Sequence, residues 1–383
     1  MKILNTLLFV LFALSANAAD GTVGTVSVQK GNNVSVNGES PLSLTLDGKD
    51  PQSCQFLSKR ATDENHEFTW KEVTTTRGGE LAEILGAQLR SVDSLVVKGY
   101  VNDKDFHAMW DASLYGYLSV INLKNAVLEN NAVPDTAFFH ENEQYEGSSH
   151  EIFYYIGLRK IILPEGLEKI GEGAFYQASA LRQVNFPSTL RYIGDFAFNA
   201  TKLEMNQLVI PEGVEEINQY AFAFCRKLKA QVTLPSTIKK IGEWAFYGCP
   251  ITSINLPEGL ESLGSLSFWD CDLREVSIPS SCHEFNEGWQ FGFNRNLEKM
   301  HLPEGMTEIP DHFAVDCFRL REVNFPHTLK HIGEKAFSLC ISLKNVELPL
   351  GMQSLGEEAF SELEALEQIV FPASICLYSL FRA

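Results

Sequence analysis

"LPEGLEKIGEGAF" (Leu163–Phe175) returns, little changed, as "LPSTIKKIGEWAF" (Leu234–Phe246). The proline that follows an apolar residue in both stretches recurs as Pro164, Pro187, Pro211, Pro235, Pro257, Pro279, Pro303, Pro326, Pro349 and Pro372, at gaps of 22 to 24 residues. So regular a period predicts a solenoid, in which each unit is one small supersecondary element stacked on the next.

Aligned on the proline, the unit is clearest as "LREVNFPHTLKHIGEKAFSLC" (Leu320–Cys340). Val323 and Phe325 alternate with Glu322 and Asn324, the period of a short strand with one buried face. Proline ends the strand because it has no N–H for the ladder and biases its predecessor toward extended geometry. Leu329, Ile332, Ala336 and Phe337 follow at irregular spacing, which fits a bent return path and not a helix. Phe175, Phe198, Phe222, Phe246, Phe268, Phe291, Phe337 and Phe360 share one column and should stack as a buried spine. After the apolar Ile or Leu stand Gly171, Gly194, Gly242, Gly264, Gly333 and Gly356, with Asn218 and Asn286 elsewhere. That pairing suggests a positive φ, although Pro310 in the same column means that not every coil can be left-handed there.

The pattern L-x-x-V-x-L-P-x-x-L-x-x-I-G-x-x-A-F-x-x-C resembles the leucine-rich repeat of roughly 23 residues found in BspA-like bacterial surface proteins. The resemblance runs from about Leu158 to the end of the chain. Upstream, "VPDTAF" (Val133–Phe138) is a degenerate copy of the I-G-x-x-A-F half. The resemblance implies a leucine-rich repeat solenoid with a parallel β-sheet on the concave face, an irregular, short-strand convex side, and a small α/β capping region before it. It also implies a binding role, adhesion to host or matrix proteins among them. Departures from the repeat at "LEMNQLVIP" (203–211), at "FNEGWQFGF" (285–293) and in the reversed order of Phe313 and Ala314 should bend or bulge those coils.

The expected organisation is a signal peptide over 1–18, a flexible N-terminal arm over 19–75, a capping region with the degenerate repeat over 76–157, and the solenoid over 158–383, about ten units with the last incomplete. "MKILNTLLFVLFALSANAAD" carries Lys2, an apolar run from Ile3 to Leu14 and a small-x-small site at Ala16–Ala18, the pattern of an export signal. The mature chain has no other apolar run of membrane-spanning length. Within "GGELAEILGAQL", Leu81, Ile84, Leu85 and Leu89 fit a short amphipathic helix.

With 31 Lys and Arg against 49 Asp and Glu, the net charge is −18, which excludes a nucleic-acid ligand because no basic face can displace counterions. No G-x-S-x-G, H-E-x-x-H, C-x-x-C or glycine-rich phosphate loop occurs, so the expectation is a non-enzymatic protein with no cofactor. His301, His312, His327 and His331 lie in neighbouring coils, but strand-and-turn geometry does not gather them as metal ligands. Of the eight cysteines, Cys225, Cys249, Cys271, Cys317 and Cys340 occupy one repeat column that elsewhere holds Ala178, Thr201 or Leu363, and are expected to be buried free thiols. Asn33 and Asn199 head N-x-S/T triplets.

The expected function is a secreted or cell-surface binding protein for a protein or glycan ligand, with a structural spacer as the alternative. The candidate ligand face is the strand column pointing away from the core: Gln183, Asn185, Gln231, Thr233, Ser253, Asn255, Glu275, Ser277, Lys299, His301, Glu322 and Asn324. A second candidate is an aromatic column that the repeat does not demand, Phe196, Tyr220 and Trp244, which either offers rings to a ligand or packs across coils.

Overall fold

The computed structural model describes residues 66–139 and 156–372; the proposed signal peptide, Asn33, Cys54 and Cys376 lie outside these. The described chain is a solenoid of about 12 parallel-stranded turns. Two strand rows run along it. One begins with β1 (Trp70–Thr75), β2 (Ser94–Val101) and β3 (Val120–Leu128) and continues through three-residue strands such as Gln231–Thr233 and Ser253–Asn255. The other is made of two-residue strands from Ala132–Val133 to Ser354–Leu355. Every pairing within both rows is parallel, for example Val232 with Leu208 and Ile254. Among the described residues no helix is long and apolar enough to cross a membrane.

A third line of inter-coil bonds runs through the A-F segment. Phe196 N–H donates to Gln219 O at 2.9 Å, Phe198 to Ala221 at 2.8 Å and Ala200 to Ala223 at 2.9 Å. The intervening residues bond within their own coil, as Asn199 N–H does to Phe196 O at 3.0 Å. Taking every second bond from the next coil forces residues four apart into the left-handed region: Phe196 and Ala200 (φ 56° and 57°), Tyr220 and Phe224 (55° and 60°), Trp289 and Phe293 (65° and 59°). Left-handed non-glycine residues cost about 1 kcal/mol each, offset here by the ladder and the rings behind it.

The positive φ expected at the I-G glycines therefore belongs two residues further on. Those glycines are required by close approach: a Cβ on Gly264 would lie 2.4 Å from Glu243 N and 2.5 Å from Gly242 C, and one on Gly333 2.4 Å from Asp311 N.

The spine is buried, except at half-buried Phe360, and longer than its expected column. Phe138 joins it 5.4 Å from Phe175, and from there to Phe291 successive rings lie 5.2 to 5.6 Å apart and nearly parallel. Phe313 also belongs. The backbone bond from Phe291 N–H ends on Phe313 O where most other coils present the alanine carbonyl, so Phe313 fills the core from the alanine slot, turned 79° to Phe291. Near this irregular coil the short-strand row breaks, between Glu284–Phe285 and Glu308–Ile309.

The folded body begins earlier than the expected boundary at 76. β1 pairs with β2 over six residues, Trp70 with Ser94 through Thr75 with Gly99, because Val73 and Thr75 alternate inward from an exposed outer face. Two helices cover this end, α1 (Leu81–Leu85), which continues as a 3-10 turn to Ser91, and α2 (Asp103–Tyr115). Asn102 and Asp105 form a capping box at α2, and buried Asp105 also accepts from Gly79 N–H at 2.7 Å and Leu81 N–H at 2.9 Å. Leu81, Leu85 and Leu89 are buried, but Ile84 is 50% exposed because the α-helix lasts little more than one turn.

The cysteine column carries a hydrogen-bonding duty that its small volume hides. Cys225, Cys249, Cys271, Cys317 and Cys340 each aim Sγ at a carbonyl of the preceding coil, those of Phe198, Phe222, Phe246, Phe291 and Ala314, at 2.9 to 3.3 Å. Asn294 does the same with its amide, donating to Phe268 O at 2.7 Å. All six described cysteines, Cys282 included, are unpaired and buried. Asn199 is buried as well, so its triplet cannot be glycosylated in the folded chain.

Coils also alternate in kind. "PEG" turns at Pro164, Pro211, Pro257 and Pro303 are followed by "PST", "PST", "PSS" and "PHT" turns at Pro187, Pro235, Pro279 and Pro326. Gly166, Gly213, Gly259 and Gly305 have φ near 100°, and each donates its N–H at 2.9 Å to the hydroxyl of Thr189, Thr237, Ser281 or Thr328 in the next coil. Those hydroxyls return a bond of 2.7 to 2.9 Å to a carbonyl of the PEG coil. In three of these pairs the PEG glutamate also accepts from the next coil's serine N–H and hydroxyl, as Glu212 does from Ser236.

Candidate binding face

Within each hydrogen-bonded segment of the long strand row, parallel in-register pairing stacks the outward side chains in two columns; pairing is interrupted between Gln183–Val184 and Gln207–Val209, between Ser253–Asn255 and Glu275–Ser277, and between Glu322–Asn324 and Asn345–Glu347. Gln231 sits opposite Gln207 and Ser253, and Thr233 opposite Val209 and Asn255. Glu275, Lys299 and Glu322 align, as do Ser277, His301 and Asn324. Of the twelve strand residues expected on this face, ten are exposed and Lys299 and His301 half-exposed. Gln207 and Val209 were missed at the irregular "LEMNQLVIP". Counting back four and two residues from the proline locates them, as it does the others.

The columns differ in how far the protein has already used them. Asn185 accepts from Leu163 N–H at 2.7 Å and donates to Leu163 O at 3.0 Å, and Asn324 grips Leu302 in the same way at 2.8 Å and 2.8 Å. These asparagines replace strand bonds between coils. Further along, Lys299 Nζ lies 2.9 Å from Glu322, and His301 Nε2 3.2 Å from Glu275. The hydrogen bond from Lys299 holds the Glu322 carboxyl below its ordinary range, and Glu322 raises the Lys299 ammonium. Glu322 is exposed and Lys299 half-exposed, so this ion pair sets local charge more than stability. Between the asparagine clamp and the ionic cluster, the side chains of Gln207, Gln231, Thr233, Ser253, Asn255 and Ser277 make no hydrogen bond among the described residues.

The aromatic column forms a ledge on another side of the coil. Phe196 and Tyr220 stack at 4.7 Å and 7°, and Tyr220 and Trp244 at 5.3 Å and 16°. Contact continues from Trp244 to Tyr247 at 4.3 Å, and, further on, from Trp269 to Trp289 at 5.2 Å and from Trp289 to His312 at 3.7 Å. All are half-buried. In the stacked pairs Phe196–Tyr220, Tyr220–Trp244 and Trp289–His312 the ring faces are turned toward one another, so their edges meet solvent. Burial lowers the His312 pKa. Trp269 lies over Gly292, where a Cβ would meet its ring at 2.1 Å.

Among the described residues no three His, Cys, Asp or Glu side chains gather as metal ligands. His331 bonds Ser354 at 2.7 Å, away from His301 and His312, which are engaged with Glu275 and Trp289.

The chain is similar to several solved bacterial structures. A leucine-rich repeat protein from Bacteroides ovatus is 22% identical, with a TM-score of 0.46, over 74% of this chain and 78% of that one. The leucine-rich repeat protein of T. pallidum is 30% identical, with a TM-score of 0.39, over 42% and 77%. A leucine-rich cell surface protein from Faecalibacterium prausnitzii is 18% identical, with a TM-score of 0.36, over 79% and 82%. None of the curated proteins matches. The model of the BspA type leucine rich repeat region matches in six copies, over residues 148–232, 230–338 and 312–379. These matches span more than half of the sequence, and the chain belongs to the BspA type leucine-rich repeat family.

Proposed function

We propose that the chain is an exported, surface-displayed binding protein that holds a protein or glycan ligand on the face of its long strand row and catalyses no reaction. The observation that carries this reading is the pair of in-register columns with side chains left over after folding. A rigid row of evenly spaced polar groups binds through many contacts without reorganising. Export rests on Lys2, the apolar run from Ile3 to Leu14 and the Ala16–Ala18 site. The acidic net charge sets nucleic acid aside as a partner.

The test places a bulky cation on the face. Thr233→Arg and Ser277→Arg should abolish binding of the labelled protein to immobilised matrix extract or to a polysaccharide panel, while Glu357→Arg, outside the columns, should not. Wild-type binding by both column variants overturns the proposal.

A further inference from the structure

From the stretch Gln207 to Asn255 we infer a site for a neutral polysaccharide laid along the solenoid axis, crossing one coil per sugar. This deepens the binding role proposed above and rests on it. Three observations narrow the ligand class.

The first is unused hydrogen-bonding capacity. Gln207, Gln231, Ser253 and Asn255 make no side-chain hydrogen bond among the described residues. Each amide brings two donors and an acceptor oxygen, and each hydroxyl both functions. Covering them with an apolar or sparsely polar surface would strand those groups at a cost. The ligand must therefore be dense in neutral donors and acceptors.

The second is the distribution of charge. On a chain of net charge −18, these strand positions carry none, whereas the next coils hold Glu275 paired with His301 and Lys299 paired with Glu322. An acidic polysaccharide would be repelled by the chain as a whole and would meet no cation at these strand positions. A cationic ligand would settle on the carboxylates further along. The uncharged stretch complements an uncharged chain.

The third is shape and period. A folded partner usually seats an aromatic or arginine anchor in a pocket, and a peptide strand adds to a sheet edge and not to its face. This stretch of the face is open, and its large exposed apolar side chain is Val209, 53% exposed, opposite Thr233. Neighbouring coils are about 4.8 Å apart and the two columns about 6.6 Å apart. An extended pyranose chain advances by a similar length per sugar, so each ring meets an equivalent pair of side chains, with Val209 available to the C–H face of one.

Affinity electrophoresis of the whole chain through gels of dextran, galactomannan, xyloglucan or mixed-linkage glucan, with alginate and heparin as anionic controls, tests this. At least one neutral gel should retard the protein, with retardation unaffected by added salt. Gln207→Ala combined with Gln231→Ala should weaken it at least about tenfold without lowering the melting temperature, and Glu357→Arg, outside the columns, should leave it unchanged. Passage through every neutral gel without retardation, retardation by the anionic gels alone, or equal retardation of the Gln207/Gln231 variant overturns the inference. A chain that ignores all the polysaccharides yet loses matrix binding through Thr233→Arg loses only the sugar assignment. One indifferent to Thr233→Arg in both assays loses the binding face as well.

Discussion

Thr237 Oγ1 receives the N–H of Gly213 at 2.9 Å from the neighbouring coil and gives its own proton to Val214 O at 2.8 Å. One hydroxyl thus satisfies two backbone groups at a turn whose glycine sits at φ 96°. Thr237→Val keeps the shape and strands both groups, and should lower stability by about 1 to 2 kcal/mol. Denaturant unfolding measures this; a midpoint unchanged from wild type would show that the clasp is incidental.

Because the clasp joins each PEG coil to the coil after it, the unit of stability is a pair of coils. Removing residues 211–256, 46 residues between two equivalent prolines, rejoins a PST coil to a PEG coil as elsewhere in the chain. Removing residues 211–234, a single coil of 24, deletes Glu212 and Gly213 and leaves Ser236 and Thr237 without their partners. The longer deletion should therefore melt higher and more cooperatively than the shorter. The opposite order would mean that single coils are the unit.

Gly264→Ala should destabilise by about 2 kcal/mol or more, since the new methyl would meet Glu243 N and Gly242 C, backbone atoms that cannot rotate away. Gly248→Asn should cost less than about 1 kcal/mol although Gly248 has φ 66°. Its column elsewhere holds Ala200, Phe224 and Asp270 in the same conformation, and its nearest obstacle is the flexible Arg226 side chain. Calorimetry of the two variants decides whether close approach or backbone sign governs each glycine.

The features readable from sequence are those that repeat once per coil. The proline period, the phenylalanine spine and the cysteine column each keep one chemical character down a column, and alignment exposes them. What escaped had another geometry. Gly264 and Gly173 look alike as letters, yet only Gly173 is left-handed; distinguishing them needs the distance to the previous coil. The alternation of Glu212-Gly213 with Ser236-Thr237 is plain to see but has a period of two coils, so a one-coil consensus averages it away. Asn185 and Asn255 occupy equivalent strand positions, and only coordinates show that the first grips Leu163 while the second makes no side-chain bond among the described residues.

Buried thiols make the fold sensitive to alkali. Burial pushes the thiols of Cys249, Cys271, Cys317 and Cys340 up, and that of Cys282 to about 12, from an ordinary 9.0. Below pH 9 both folded and unfolded chains keep these protons. Above it the unfolded chain releases them and the folded chain does not, so stability is complete below pH 9 and falls as pH rises toward the folded values. Each such thiol contributes about 1.4 kcal/mol per pH unit across that window. Urea midpoints from pH 8 to about 10.5 should therefore fall steeply, and Cys317→Ala with Cys340→Ala should flatten the slope. An equal slope in wild type and variant would show that the decline comes from other groups.

Trp244 carries the sharpest choice between packing and ligand contact. Its ring stacks on Tyr220 and leans on Tyr247 at 4.3 Å, while its backbone holds φ 57°. Trp244→Ala removes both ring contacts and leaves a left-handed alanine, and should cost about 2 kcal/mol or more. Trp244→Gly removes the same contacts but adopts that φ freely. Glycine should therefore be the more stable of the two by about 1 kcal/mol, the reverse of the usual order inside regular structure. An alanine variant as stable as the glycine variant would contradict the left-handed backbone. The same pair speaks to function. Because Tyr220 covers one face of Trp244 and Tyr247 crowds its side, little of the ring is left for a sugar to stack on, and both variants should keep their ligand wherever they remain folded. A Trp244→Ala protein that melts like wild type yet no longer binds would move the ligand from the strand columns to this ledge.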